Sequence, residues 1–279
     1  MTTPTYRTLR VRPTDPGVLS VAIDAPPMNL IGPELVRDLV TLVTELESSE
    51  DVRVVVLESA DHEYFVPHVD LTKVAEYTAE AAKAGGPDDA SLGMLLHKFS
   101  NLPVVLIAKL RGRARGAGSE LLLACDMRFA ALENAVVGQP EVGFGAWPGA
   151  GGIQHLARLL GRGRAMEAIL GSDDFTADVA ERYGWVNRAL PDAELDEFVA
   201  RLARRIASFP PEGVRAVKKE LNELALPPAD AIRANARTFQ QLVASDTVRG
   251  RIAALFANGL QTRSPLELEL GDRIETLGS

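Results

Sequence analysis

The chain contains one cysteine, Cys125, among 279 residues. A single thiol excludes an intrachain disulfide framework, and within LLLACD it reads as a small apolar packing residue. There are four histidines, His62, His68, His97 and His155. None stands at ligand spacing to another or to Cys125, so no metal site is expected. Long apolar runs are also missing: none approaches the ~18 residues of a membrane-spanning helix. The N-terminal MTTPTYRTLRV has no apolar stretch of the signal-peptide kind, so a cytoplasmic location is expected. Positive charge is scarce relative to negative, with a net charge of −8 and a pI near 5.2. That balance argues against bulk binding to nucleic acid or to an anionic membrane surface. Three common chemical motifs are absent. The turn at 112–118 lacks the Lys-Ser/Thr pair of a phosphate loop. It also comes too late in the chain, and with the wrong glycine spacing, for a dinucleotide fold. No G-x-S-x-G elbow supports a Ser-His-Asp triad.

What is present is an ordinary globular composition, 46% hydrophobic and 24% charged, sufficient for one large domain or a domain with a smaller helical part. Strands are expected at 6–12 and 18–24, joined by the turn-forming PTDPG. Pro33 opens an amphipathic helix over 33–49, with Leu35, Leu39, Leu42, Val43 and Leu46 at helical spacing. VRVVVLES (52–59), PVVLIAKL (103–110) and MRFAAL (127–132) are continuous apolar runs suited to buried parallel strands. ADHEYFVPHVDL reads as a loop and 71–85 as a helix. GGPDD (85–89) reads as a flexible break, and SLGMLLHKFSNL as a further helix. The alternation of strand and helix is a βαβ signature, so an α/β fold is expected. Beyond the glycine-dense GFGAWPGAGG (143–152), IQHLARLLG and the segments 162–170, 176–183, 192–207, 211–224 and 229–257 read as helices. One short strand is expected at 185–190. The last ~50 residues look like a helical extension too small for its own core. Such an extension docks on its own domain or on a neighbouring subunit.

The most informative stretch is RGRARGAGSELLLACD (111–126). Glu120 follows a Gly/Ala-rich turn where a helix should begin. Helix chemistry alone accounts for it: Ser119 is a good N-cap, and an acidic first turn complements the helix dipole. Alternatively, the turn exposes backbone N–H groups to an anion or a developing oxyanion, and the carboxylate beside it moves protons. A second carboxylate, Glu141 in GQPEVGFG, lies in a comparable bend. Two carboxylates at one reacting centre can divide the work of general base and general acid. Spacing in sequence cannot show that they meet.

These segments resemble the crotonase family, the enoyl-CoA hydratases and isomerases. The resemblance runs from PPMNLI through SEDVRVVVLESADHEYF and NLPVVLIAKLRGRARGAGSELLLACDMRFA. It continues through GQPEVGFGAWPGAGGIQHLARLLG to YGWVNRALPDAEL, and 102–161 is its most specific part. It implies a crotonase-like core of repeated ββα units over 1–195, holding an acyl-thioester site. A helical C-terminal region over 196–279 would serve trimerisation. GAGSE aligned with the family's GGGxE pattern makes Ala117 one oxyanion amide. The loop usually written F-C-A-G-A-D reads FVPHVD here, so Val69 supplies the other. Glu120 and Glu141 match the two hydratase glutamates. The resemblance implies that Glu120 orients and deprotonates water while Glu141 exchanges the C2 proton. The implied reaction is reversible addition of water to a 2-enoyl thioester. Coenzyme A enters as part of the substrate, with no tightly bound cofactor, and the assembly is a homotrimer or dimer of trimers. Other readings within the fold are isomerisation, decarboxylation or other enolate chemistry on a specialised acyl-CoA or carrier-bound substrate. A non-catalytic CoA-binding scaffold is another.

Departures from the pattern mark His68, Asp70 and Trp147 as candidate pocket residues. His68 is a third acid/base, a polar contact to the acyl group, or a partly exposed loop histidine; the loop role is the expectation. Arg111, Arg113 and Arg115 could meet CoA phosphates or an acidic acyl group, or form a solvated or subunit-facing patch. Trp147 with Pro148 forms a pocket wall or belongs to the core.

Overall fold

A computed structural model describes residues 5–276. The ends of the expected regions, 1–4 and 277–279, lie outside the described residues, as does the start of the N-terminal segment read above. The first two strands, β1 (Leu9–Asp15) and β2 (Val18–Ile23), form an antiparallel hairpin. Strand β1 begins three residues later than the sequence suggests and carries Pro13. It lies at the edge of its sheet, where a missing N–H is tolerated. Helix α1 (Pro33–Ser48) follows with proline in its first turn, and Leu35, Leu39, Leu42, Val43 and Leu46 are buried, as the periodicity requires.

From there each unit contributes one strand to each of two sheets. Strand β3 (Val54–Ser59) enters the large sheet and β4 (Tyr64–Val66) the small one, before α2 (Val74–Gly85) and α3 (Leu92–Ser100). Strands β5 (Val105–Leu110) and β6 (Arg113–Arg115) repeat the step before α4 (Ala117–Leu123). Strands β7 (Met127–Ala131) and β8 (Val136–Gly138) do so again before α5 (Gly152–Leu160). The chain then runs through α6 (Arg162–Gly171), β9 (Asp174–Thr176), α7 (Ala177–Tyr183), β10 (Arg188–Leu190) and α8 (Asp192–Ala207). The large sheet has the order β1-β2-β3-β5-β7-β10, parallel beyond the first pair, and the small sheet β4-β6-β8-β9. The repeated ββα architecture is thus a spiral in which the long strands stack in one sheet and the short ones in the other.

Strands β3, β5 and β7 are buried on both faces, which is why they read as apolar runs. Val54, Val56, Val105, Ile107 and Phe129 face α8, packing on its Leu195, Val199 and Ala203. Val55, Leu57, Leu106, Ala108 and Ala130 face the main core with α1, α3 and α4. The expected division between 195 and 196 therefore falls inside α8, a helix that covers the large sheet. Helices α9 (Pro211–Ala225), α10 (Ala229–Val243), α11 (Asp246–Ala257), α12 (Pro265–Leu268) and α13 (Leu270–Arg273) complete the chain. The helix expected over 229–257 is two helices, because Ser245 caps the second through a bond from Val248 N–H. The last segment docks through a small cluster of Leu255, Leu260, Leu266, Leu270 and Ile274 around Phe144. Among the described residues no helix is long and apolar enough to cross a membrane.

Candidate active site

Strand β6 ends at Arg115, and Gly116 turns the chain into α4. Gly116 has φ 52°, in the region where a side chain is strained. A Cβ there would also come within 2.8 Å of Glu141 Oε1. Two residues on, a Cβ at Gly118 would sit 1.9 Å from the Val66 carbonyl oxygen. The start of α4 thus rests directly on β4, and this brings the turn against the 65–70 loop. All seven residues of α4 are buried. Gly116, not Ser119, is its N-cap, and no side chain caps it. Ser119 instead lies within the helix, its hydroxyl accepting the Trp185 indole N–H at 3.2 Å.

Glu120 does not cap its helix either. Its Oε1 accepts the backbone N–H groups of Ala150 and Gly152 at 2.7 and 2.8 Å. The glycine-dense 143–152 loop is folded back to supply them. Burial pushes the Glu120 carboxyl up to about 7, against the lowering effect of those two amides. Glu141 lies on a short 3-10 segment, Pro140–Phe144, between β8 and α5. Burial first, and then the negative charge of Glu120, raise its carboxyl well above the ordinary range. Like charges in one buried space cannot both ionise easily. With its two amide donors Glu120 is the more readily ionised of the pair, and Glu141, facing that charge, holds its proton more firmly.

His68, Val69, Tyr77, Ala117, Glu120 and Glu141 line one pocket. The structure so brings together four residues singled out for chemistry and one of the three candidate pocket residues. The backbone around Val69 is tied down at three groups. Ile31 N–H donates to the His68 carbonyl at 3.1 Å, and Asp70 N–H donates to the Ile31 carbonyl at 3.0 Å. The Val69 carbonyl accepts from the Gln261 amide at 2.6 Å. Among the described residues, neither the Val69 N–H nor the Ala117 N–H has a hydrogen-bond partner.

Several expectations are corrected. His68 is not a partly exposed loop residue: it is 5% exposed, and its Nε2 donates to Glu267 Oε1 at 2.8 Å. Asp70 and Trp147 are not among the pocket-lining residues. Asp70 accepts the Thr72 N–H and hydroxyl in its own loop. Trp147 is half-buried and its indole donates to the Asn235 carbonyl at 3.2 Å, fastening α10. The three arginines form no solvated patch. Arg115 is fully buried against Asp174 and the carbonyls of Glu267 and Leu268. Arg113 donates to the Leu268 carbonyl and Arg111 pairs with Asp192 and Asp196.

Sequence reasoning missed Gln139 and Tyr77. With its amide oriented to satisfy both neighbours, Gln139 donates to Glu141 Oε2 at 2.9 Å and accepts from Ser119 Oγ at 3.2 Å. Its closeness to Glu141, two residues along the chain, was the one usable signal, because Pro140–Phe144 is a 3-10 segment with no strand alternation. Tyr77 on α2 gave none. Burial, then the charge of Glu120, raise its phenol above the ordinary value.

The chain is similar to known proteins over most of its length. Residues 14–261 match the enoyl-CoA hydratase/isomerase family. The chain is 34% identical over 208 residues to the short-chain-enoyl-CoA hydratase of Clostridium acetobutylicum, covering 74% of this chain and 77% of that protein. It is 34% identical over 196 residues to the crotonyl-CoA hydratase of Syntrophomonas wolfei, covering 70% and 74% respectively. A crystal structure of a Streptomyces avermitilis protein, provisionally assigned as an enoyl-CoA hydratase, superposes with a TM-score of 0.97. That protein is 62% identical, with both chains fully covered. The chain belongs to the enoyl-CoA hydratase/isomerase family and is an enzyme of that type.

Proposed function

We propose that the protein adds water reversibly to a short 2-enoyl-CoA, with Val69, Ala117, Glu120 and Glu141 as the working groups. The observation that carries this reading is the pairing of two buried carboxyls with two unpartnered backbone N–H groups at one pocket. The thioester carbonyl of an enoyl-CoA gathers negative charge as water attacks C3. The Val69 and Ala117 amides are the donors for that oxygen, each such donor being worth ~2.7–4 kcal/mol of transition-state stabilisation. Glu120, whose ionised form accepts the Ala150 and Gly152 amides, orients the water and takes its proton. Glu141, held neutral, delivers a proton to C2, and dehydration runs the same steps backwards. Gln139 supports Glu141 and keeps its carboxyl turned toward the turn.

Helices α10 and α11 close the pocket with Phe239, Val243 and Ile252. The open space there is about 70 Å³, small beside the ~300–1,000 Å³ of pockets for drug-sized ligands. That size favours an acyl group of few carbons, in keeping with the short-chain and crotonyl substrates named for the two relatives above. Coenzyme A belongs to the substrate and no resident cofactor is invoked.

The same reading includes self-assembly through the C-terminal helices. Helix α9 turns Val217, Leu221 and Leu224 outward, 61%, 57% and 75% exposed, and buries Lys218 instead. An apolar row at helical spacing facing solvent is the mark of a covered surface, and a homotrimer or a dimer of trimers would cover it. The activity is tested by offering the purified protein 2-enoyl-CoAs of increasing chain length and following loss of the conjugated enoyl absorbance. Four- to six-carbon substrates should turn over fastest, and a preference for long chains would overturn the short-acyl assignment.

A further inference from the structure

The segment 260–268 reaches both halves of the proposed oxyanion site at once. On one side Glu267, fully buried, accepts His68 Nε2–H at 2.8 Å through Oε1 and Gln261 N–H at 2.8 Å through Oε2. Gln261 Nε2 in turn donates to the Val69 carbonyl at 2.6 Å and lies 3.1 Å from His68 Nδ1. His68 Nδ1 is also 3.1 Å from the Val69 carbonyl. A neutral ring accepts from Gln261 there, and a protonated ring donates to the Val69 carbonyl. Both arrangements tie the ring to the same peptide. On the other side, the backbone carbonyls of Glu267 and Leu268 accept from Arg115 at 2.6 and 3.2 Å. Arg115 immediately precedes the Gly116 turn that presents the Ala117 amide, and Asp174 holds its guanidinium through two further bonds. Burial opposes ionisation of Glu267, but His68, the Gln261 N–H and Arg115 outweigh it and hold its carboxyl below the ordinary value.

We infer that Gln261 and Glu267 are positioning residues for the reaction, a clasp from the C-terminal segment that fixes the separation and direction of the Val69 and Ala117 amides. The inference rests on those two amides being the oxyanion donors. Three features support it. First, the His68 and Val69 carbonyls and the Asp70 N–H are held by this network or by Ile31, while the N–H of Val69, a residue that lines the pocket, has no partner among the described residues. Second, the two loops bearing the amides come from different ββα units, so a bridge between them controls a distance that neither unit sets alone. Third, His68 is fully committed to the clasp, which leaves it no free nitrogen for proton exchange with substrate. Its place in the pocket wall is that of a strut.

The test uses the full-length enzyme and a conjugated enoyl-CoA that turns over slowly. Hydrogen bonds to its thioester carbonyl polarise the chromophore and move its absorbance to longer wavelength on binding. Gln261 sits at φ 62°, where asparagine is well tolerated, and it is only half-buried. Gln261→Asn therefore keeps the fold while withdrawing the amide from Val69. Gln261→Asn and Gln261→Ala should each reduce the bound-ligand red shift and lower kcat about 10-fold or more, with KM within about 3-fold, since a ~1 Å misplacement alone can cost ~10²-fold. Glu267→Gln, which keeps an oxygen for His68, should lose less than Glu267→Ala. A wild-type red shift and kcat in the folded Gln261 variants would overturn the clasp while leaving the oxyanion reading in place. No red shift in the wild type would overturn the oxyanion reading, and the clasp with it.

Discussion

Replacing Glu120 by glutamine should make the protein more stable and far less active, and the size of the gain should depend on pH. Glutamine is nearly isosteric and keeps an oxygen for the Ala150 and Gly152 amides, so packing is preserved while the charge is removed. In the folded chain the Glu120 carboxyl titrates near 7, against an ordinary value of 4.5. Between those values the folded state holds a proton that the unfolded chain has released. Stability attributable to this group is therefore greatest below pH 4.5 and is lost as pH rises to about 7. A displacement of that size corresponds to about 3 kcal/mol. Glu141 is displaced in the same direction, and in Glu120→Gln the like charge that raises it is gone, so its own penalty shrinks. The reference is accordingly Glu120→Gln/Glu141→Gln, which carries neither titration. The assay is the thermal midpoint at fixed protein concentration, measured from pH 5 to pH 8. For a chain of this length ~1 kcal/mol moves Tm by ~2 °C. The double variant should thus gain at least ~6 °C on the wild type between the two ends. Parallel curves for the two proteins would refute the reasoning, because they would mean that neither carboxyl is perturbed by folding.

Further outcomes follow from the same geometry. Ala117 is the first residue of α4, a position where proline is well accommodated. Ala117→Pro should therefore keep the helix and abolish turnover, whereas Ala117→Gly, which retains the N–H, should stay within a few-fold of wild type; equal activity in the two folded proteins would remove this amide from the site. Gly118→Ala should fail to fold or lose several °C in Tm, because its Cβ would lie 1.9 Å from the Val66 carbonyl oxygen; a wild-type melting curve would show that α4 does not rest on β4. Sedimentation should give a trimer or a multiple of three, and Leu221→Glu on the exposed row of α9 should dissociate it; a monomer at micromolar concentration in the wild type would contradict the assembly.

The parts of the fold that could be read from the sequence are those whose burial imposes a pattern. Strands β3, β5 and β7 are covered on both faces, so β3 and β5 left runs of valine, leucine, isoleucine and alanine, and β7 the shorter Phe-Ala-Ala. Helix α1 is covered on one face, so its leucines recur at helical spacing. Strands β4, β6, β8 and β9 left no such trace. Each is three residues long, too short for a period to show, and each is held in extended form by neighbours distant in sequence. YFV accordingly reads as part of a loop. WVNRAL shortened from six residues to Arg188–Leu190, because Trp185 turns into the core beside Phe175 and donates to Ser119. The two glutamates were visible by type and by their glycine-rich settings, but their meeting depends on how the small sheet stacks β6 beside β8. The partners of His68 were beyond reach of any local pattern, since Glu267 lies 199 positions away. The same distance explains why Arg115 looked like a surface residue: its partners are Asp174 and the carbonyls of 267 and 268.

The central claim is that Glu120 and Glu141 jointly add water across a 2-enoyl thioester held by the Val69 and Ala117 amides. Its most direct measurement is turnover of a four-carbon 2-enoyl-CoA in ¹⁸O-labelled water by the wild type, Glu120→Gln and Glu141→Gln, with mass analysis of the product. The account predicts a 3-hydroxyacyl-CoA carrying one solvent-derived oxygen, and a kcat reduced at least ~10²-fold in each variant with far smaller changes in KM. Near-wild-type turnover in either folded variant, or a product without solvent oxygen, would contradict it.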